Sequence, residues 1–111
     1  MSNLERVEES TAAPVRRSER VRTRVPVTLI WHEDQHRRYE ASHTVSVSRF
    51  GCLVRSRYNL QPGTTVLIEH GDKFLLGKIS YCLKDYATKV VELGIGFEED
   101  GTEFWGMQFT A

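Results

Sequence analysis

The chain has 111 residues, the length of one domain and enough to bury a core without disulfide or metal staples. Lys and Arg number 15, as do Asp and Glu, so the formal net charge is zero, which argues against a protein built to coat nucleic acid or an anionic membrane. The spacing of its two cysteines, Cys52 and Cys82, fits neither a zinc motif nor a redox pair; the opening MSNLERVEES has no signal-peptide apolar run, and no apolar stretch approaches the ~20 residues of a transmembrane helix. The expectation is a cytoplasmic protein with no membrane insertion.

Residues 1–15 are rich in Ser, Glu, Ala and Thr without apolar period and read as a flexible N-terminal tail. Arg16, Arg17, Arg20, Arg22 and Arg24 then crowd into RRSERVRTR, interrupted only by Glu19. Val25, Val27, Leu29 and Trp31 alternate with Pro26, Thr28 and Ile30, the period of a strand, with Pro26 suited to its start or to an edge. HEDQHRR is polar and predicts a hairpin loop. A second strand runs from about Tyr39 to Val47, Gly51 punctuates the chain, and Cys52, Leu53 and Val54 begin a third. Leu60-Gln61-Pro62-Gly63 predicts a turn, because proline presets φ and glycine supplies the positive φ of a type II turn.

Val66, Leu67 and Ile68 form a fourth strand, His70-Gly71-Asp72 a turn, and Phe74 to Tyr81 a fifth strand. After KDYAT, Val91, Leu93, Ile95 and Phe97 share one face of a sixth strand, with Glu92, Gly94 and Gly96 on the other. TEFWGMQF predicts a short helical turn packed on the sheet. No segment carries a long 3.6-residue period and no internal repeat is visible. About six short strands joined by short turns predict an all-β domain over residues 16–111, an antiparallel barrel or sandwich.

Nothing in the chain predicts an enzyme: GxSxG, P-loop and HExxH motifs are absent, and no nucleophile, base and orienter fall together. His32 and His36 lie four apart, a metal-binding spacing on a helix; in a charged loop they read as solvated, as do His43 and His70, so no metal site is expected. The arginines are the sharpest feature. A guanidinium is a planar fork of donors that matches phosphate oxygens or a guanine edge and stacks on flat rings. The bland alternative is a solvated basic arm. SVSRFG, Ser46 to Gly51, adds a tight polar corner between two strands.

Together these segments resemble the PilZ domain, whose members carry RxxxR before their first strand and (D/N)xSxxG at the bend between the second and third. Arg16 and Arg20 stand at RxxxR spacing with Arg17 beside them; Arg20 and Arg24 offer a second register. Ser48 and Gly51 stand at the SxxG positions, and Ser46 replaces the family's Asp or Asn. NLQPGTTVLIE, LGIGFEE and FWGMQF are similar to later family segments, so the resemblance spans about residues 16 to 109. It implies a six-stranded antiparallel barrel with a short C-terminal helical turn. It also implies a receptor for cyclic di-GMP, a bacterial second messenger, bound by Arg16, Arg17, Arg20, Ser46, Ser48 and Gly51. No other cofactor is implied, and signalling would pass through a separate effector protein.

In the family the Asp or Asn accepts from the guanine N–H edge. Serine there reaches less far and offers fewer acceptor sites, a difference of roughly 1.5–3 kcal/mol for a charged hydrogen bond. A second reading is therefore a degenerate adaptor that keeps the fold without the nucleotide. A third, a small barrel on single-stranded nucleic acid, is disfavoured by the zero net charge and the acidic run Glu98-Glu99-Asp100. The arm is expected to be mobile until ligand binds, because RRSER has too few apolar residues to dock by itself.

Overall fold

The computed structural model describes residues 19–110. The 1–15 tail, Arg16 and Arg17 lie outside the described residues. The elements are β1 (Val21–Arg22), β2 (Pro26–Glu33), β3 (His36–Ser48), β4 (Gly51–Ser56), β5 (Thr65–His70), β6 (Lys73–Lys84), β7 (Val91–Phe97) and α1 (Thr102–Trp105). Strand order is β1-β3-β2-β5-β6-β7-β4, and a β3–β4 pairing closes the ring. Every pairing is antiparallel. The protein is all-β: β2 to β7 make a closed six-stranded barrel, β1 is an extra strand laid beside β3, and α1 is a single helical turn.

The period-two segments fill the barrel as their patterns dictate. Val91, Leu93, Ile95 and Phe97 are all buried, with Leu29, Val47, Val54, Val66, Ile68 and Ile79 around them. Phe104, Trp105 and Phe109 join the same cluster, so the aromatic C-terminus plugs one end of the barrel. The turn at Pro62-Gly63 is present, with Gly63 at φ 93 and Thr64 N–H bonded to Gln61 O. Among the described residues no helix is long and apolar enough to cross a membrane.

Three local expectations change. HEDQHRR is not a loop. Strand pairing continues to Glu33↔His36, and the turn is only Asp34-Gln35, both at positive φ (53 and 68), the pattern of a tight type I′ hairpin. Its polar residues sit in strands that project beyond the barrel, where both faces meet water and the alternation vanishes. The arm is not loose over its described part: Val21 pairs with Val47 and Arg22 with Ser46, and Glu19 N–H bonds to Thr110 O. Gly51 is required less by a turn than by close approach, since a Cβ there would lie 2.6 Å from the Ile95 carbonyl oxygen of β7.

Thr44 explains how β1 and β2 can be two strands along one neighbour. Its hydroxyl donates to Thr23 O at 2.7 Å and accepts from Val25 N–H at 2.9 Å. The side chain thus satisfies backbone groups at the break between β1 and β2, as a buried polar group must. One residue further, β3 carries a bulge between Thr44 and Ser46, which bends the strand and re-aims its side chains.

Candidate functional site at the β3–β4 bend

Val47 is buried, so Ser46 and Ser48 on either side of it face outward. Strand register then sets two rows across the outside of the barrel. The first runs Arg22, Ser46, Leu53, Gly94, Tyr81 over five strands. The second runs Ser48, Gly51, Gly96, Lys78 over four. At ~4.8 Å per strand the longer row is roughly 19 Å across. Its middle is made of small residues and one leucine, a shallow floor that Tyr81 covers at the buried Gly94 and that lies bare at Ser46 and Leu53. Arg22 stands at one margin; Lys78 and Tyr81 stand at the other. The Tyr81 ring lies over Gly94, where a Cβ would strike it, so that glycine admits a neighbour's aromatic ring.

Of the residues expected at a site, the structure gathers Ser46, Ser48 and Gly51 at one bend. Arg20 is exposed on the chain just before β1, and Arg22 lies directly opposite Ser46. Arg24, the end of the alternative RxxxR register, is also exposed but follows β1, toward His43. The Ser48 hydroxyl donates to Gly51 O at 3.3 Å, a local bond within the bend. The Ser46 hydroxyl makes no hydrogen bond among the described residues.

The bend is held from behind by residues that sequence reasoning did not single out. The Trp105 indole N–H donates to Ser48 O at 3.1 Å. Gly101 N–H donates to Arg49 O at 2.6 Å, and Phe97 N–H to Phe50 O at 2.8 Å. The Arg49 guanidinium reaches Phe109 O and Asp100. Hydrogen bonds from Thr102, with Arg49 nearby, hold the Asp100 carboxyl below its ordinary range. One residue past Phe109, Thr110 bonds through both its N–H and its hydroxyl to the Glu19 carboxylate, and these bonds lower that carboxyl's pKa. The C-terminal segment therefore ties the bend to the arm, through Trp105 and Arg49 at one end and Thr110 at the other. Only the aromatic richness of FWGMQF hinted at this.

The cysteines do not contribute. Both are free; Cys52 pairs with Ile95 and Cys82 with Leu93 on opposite edges of β7, too far apart for a disulfide. Burial pushes the Cys52 thiol up, away from the reactive thiolate. His32 and His36 lie exposed in paired strands, and no metal-holding cluster occurs among the described residues.

Set against family models and curated proteins, the chain matches none.

Proposed function

We propose that this chain is a PilZ-like receptor for cyclic di-GMP, in which an arginine arm closes on the outer face of the barrel and the changed surface is read by a separate effector protein. The observation that carries this reading is the pairing of Arg22 with Ser46. It sets the arginine-rich segment alongside SVSRFG, on a floor of small residues. A dinucleotide on that floor would set phosphates against guanidinium forks, which bind them bidentately, and bases against arginine and tyrosine faces. Nothing in this scheme asks for a reaction, so the protein acts as a non-enzymatic, cytoplasmic switch. Arg16, Arg17 and Arg20 would close over the ligand, and Ser46, Ser48 and Gly51 would line its bed.

The degenerate-adaptor reading draws on one observation. Ser46 is the row's only side chain at the base-reading position, and its hydroxyl offers less than the family's carboxylate or amide. Calorimetric titration with cyclic di-GMP separates the two readings, with cyclic di-AMP, GTP and a short oligonucleotide as controls. The receptor reading expects saturable binding of cyclic di-GMP that weakens in both Arg20→Ala and Arg20→Lys, since lysine keeps the charge and loses the fork. Wild-type affinity in Arg20→Lys would reduce the contact to diffuse electrostatics. Loss in Arg24→Ala alone would move the site to the second register.

A further inference from the structure

On the same pair of strands, toward the hairpin tip, β3 and β4 part. Their backbone pairing ends at Thr44↔Val54, while β3 continues to His36 and β4 to Ser56. Between them opens a cleft of about 460 Å³ lined by Tyr39, Ala41, His43, Arg55, Arg57 and Tyr58 among others. Side chains close its floor. Ser42 and Glu40 pair with the buried Val27 and Leu29 and so lie on the inner side of β3. The Ser42 hydroxyl donates to Arg55 O, and the Glu40 carboxylate accepts from Ser56 Oγ at 2.6 Å and Arg57 N–H at 2.8 Å. The outer mouth stays open.

Two features of that mouth point to one kind of occupant. The first is a free strand edge. Thr44 N–H points toward β2, where it bonds to Val25 O. Backbone direction alternates along a strand, so the N–H and C=O groups of Tyr39, Ala41 and His43 face away from β2 and into the cleft. Those of Tyr39 and Ala41, beyond the Thr44↔Val54 pairing that takes up the His43 carbonyl with Arg55 N–H, meet no partner among the described residues, and an unpaired edge is a template for another strand.

The second feature is charge. Arg55 and Arg57 are exposed and make no ion pair among the described residues. The Arg37 guanidinium sits 5.4 Å over the Tyr39 ring. The one carboxylate in the cleft, Glu40, is already engaged. His43 is held below its ordinary pKa first by desolvation and then by the nearby charges of Arg24 and Arg55; Arg55 stands opposite Glu92 of β7, and Arg57 has no such cross-strand neighbour. Tyr58, packed edge-on against buried Trp31 at 5.2 Å, gives the mouth a fixed aromatic wall.

We infer that this cleft docks an acidic, extended segment of a partner protein, its backbone added to the free edge of β3 and its carboxylates set on Arg55 and Arg57. Main-chain pairing would give affinity, and the cationic, aromatic rim would give selectivity. The inference goes beyond the nucleotide reading and stands if that reading fails.

Fluorescence anisotropy of the full chain with a short labelled peptide alternating Glu with Val tests it, without cyclic di-GMP present. The expected result is saturable binding that weakens about tenfold or more in Arg55→Gln/Arg57→Gln, and that is lost when alternate peptide amides are N-methylated. A peptide with Lys in place of Glu should not bind. The N-methylated arm leaves the protein untouched, so misfolding of a variant does not confuse it. Absence of binding, equal binding of the N-methylated peptide, or equal competition by free glutamate or inorganic phosphate would overturn the inference. The last outcome would make the cleft a small-anion site.

Discussion

β7 and β3 lie on opposite sides of β4 and are held in place by different means. β7 is fixed by packing: Val91, Leu93, Ile95 and Phe97 are all buried among apolar neighbours. β3 is fixed by directional bonds made by polar side chains. Thr44 secures the break between β1 and β2, Ser42 and Glu40 span the gap to β4, and the bend after Ser48 is tied to the C-terminal segment. Packing is strong and tolerant of neither loss nor gain of volume. Directional bonds leave a strand's outer face and edge free, which is where recognition can be built.

The contrast is broken most directly in the core. Phe97→Ala should destabilise the barrel by about 3–5 kcal/mol, read as a large fall in the midpoint of denaturant unfolding. A change within experimental error would mean that β7 is not the packing centre. On the β3 side, Thr44→Val keeps the shape and removes the hydroxyl. It leaves Val25 N–H and Thr23 O without their partner and should cost about 1–3 kcal/mol. Its further signature is faster hydrogen exchange at Val25 and in β1, with β7 unchanged; uniform loss of protection would erase the distinction between the strands.

The same contrast explains what the sequence showed. β7, β2 and the Pro62-Gly63 turn were legible because each lies against one buried face or one required φ. The hairpin tip was not, since His32, Glu33, His36, Arg37 and Arg38 extend past the core and lose the alternation that marks a strand. β1 escaped notice for a related reason. Two residues give no period, and their pairing with Val47 and Ser46 depends on the bulge after Thr44, which no local pattern announces. At the candidate site, the SVSRFG bend was visible as turn chemistry. Its anchors, Trp105, Gly101 and Thr110, act from more than fifty residues away in the chain. The steric demand on Gly51 likewise comes from β7, a strand distant in sequence.

A smaller effect sharpens the picture at the arm. Thr110 lowers the Glu19 pKa, so docking of the arm through this carboxylate is fully present above the ordinary glutamate range. It is lost as pH falls through the lowered value. The Thr110 amide resonance should titrate with a midpoint below that of a free glutamate, and Glu19→Gln should abolish that titration. A midpoint at the ordinary value would mean the arm and the C-terminus are not joined in solution.

The central claim is that the outer row at Ser46 is a base-reading bed for cyclic di-GMP. It is tested most directly by calorimetric titration of wild type and Ser46→Asp side by side. A carboxylate at this position would accept from the guanine N–H edge and should raise affinity by roughly 1–3 kcal/mol, about five- to 150-fold, on a fold unchanged at a bend that tolerates aspartate. The account predicts that gain, with wild type binding more weakly. A folded Ser46→Asp protein that binds cyclic di-GMP no better than wild type would contradict it.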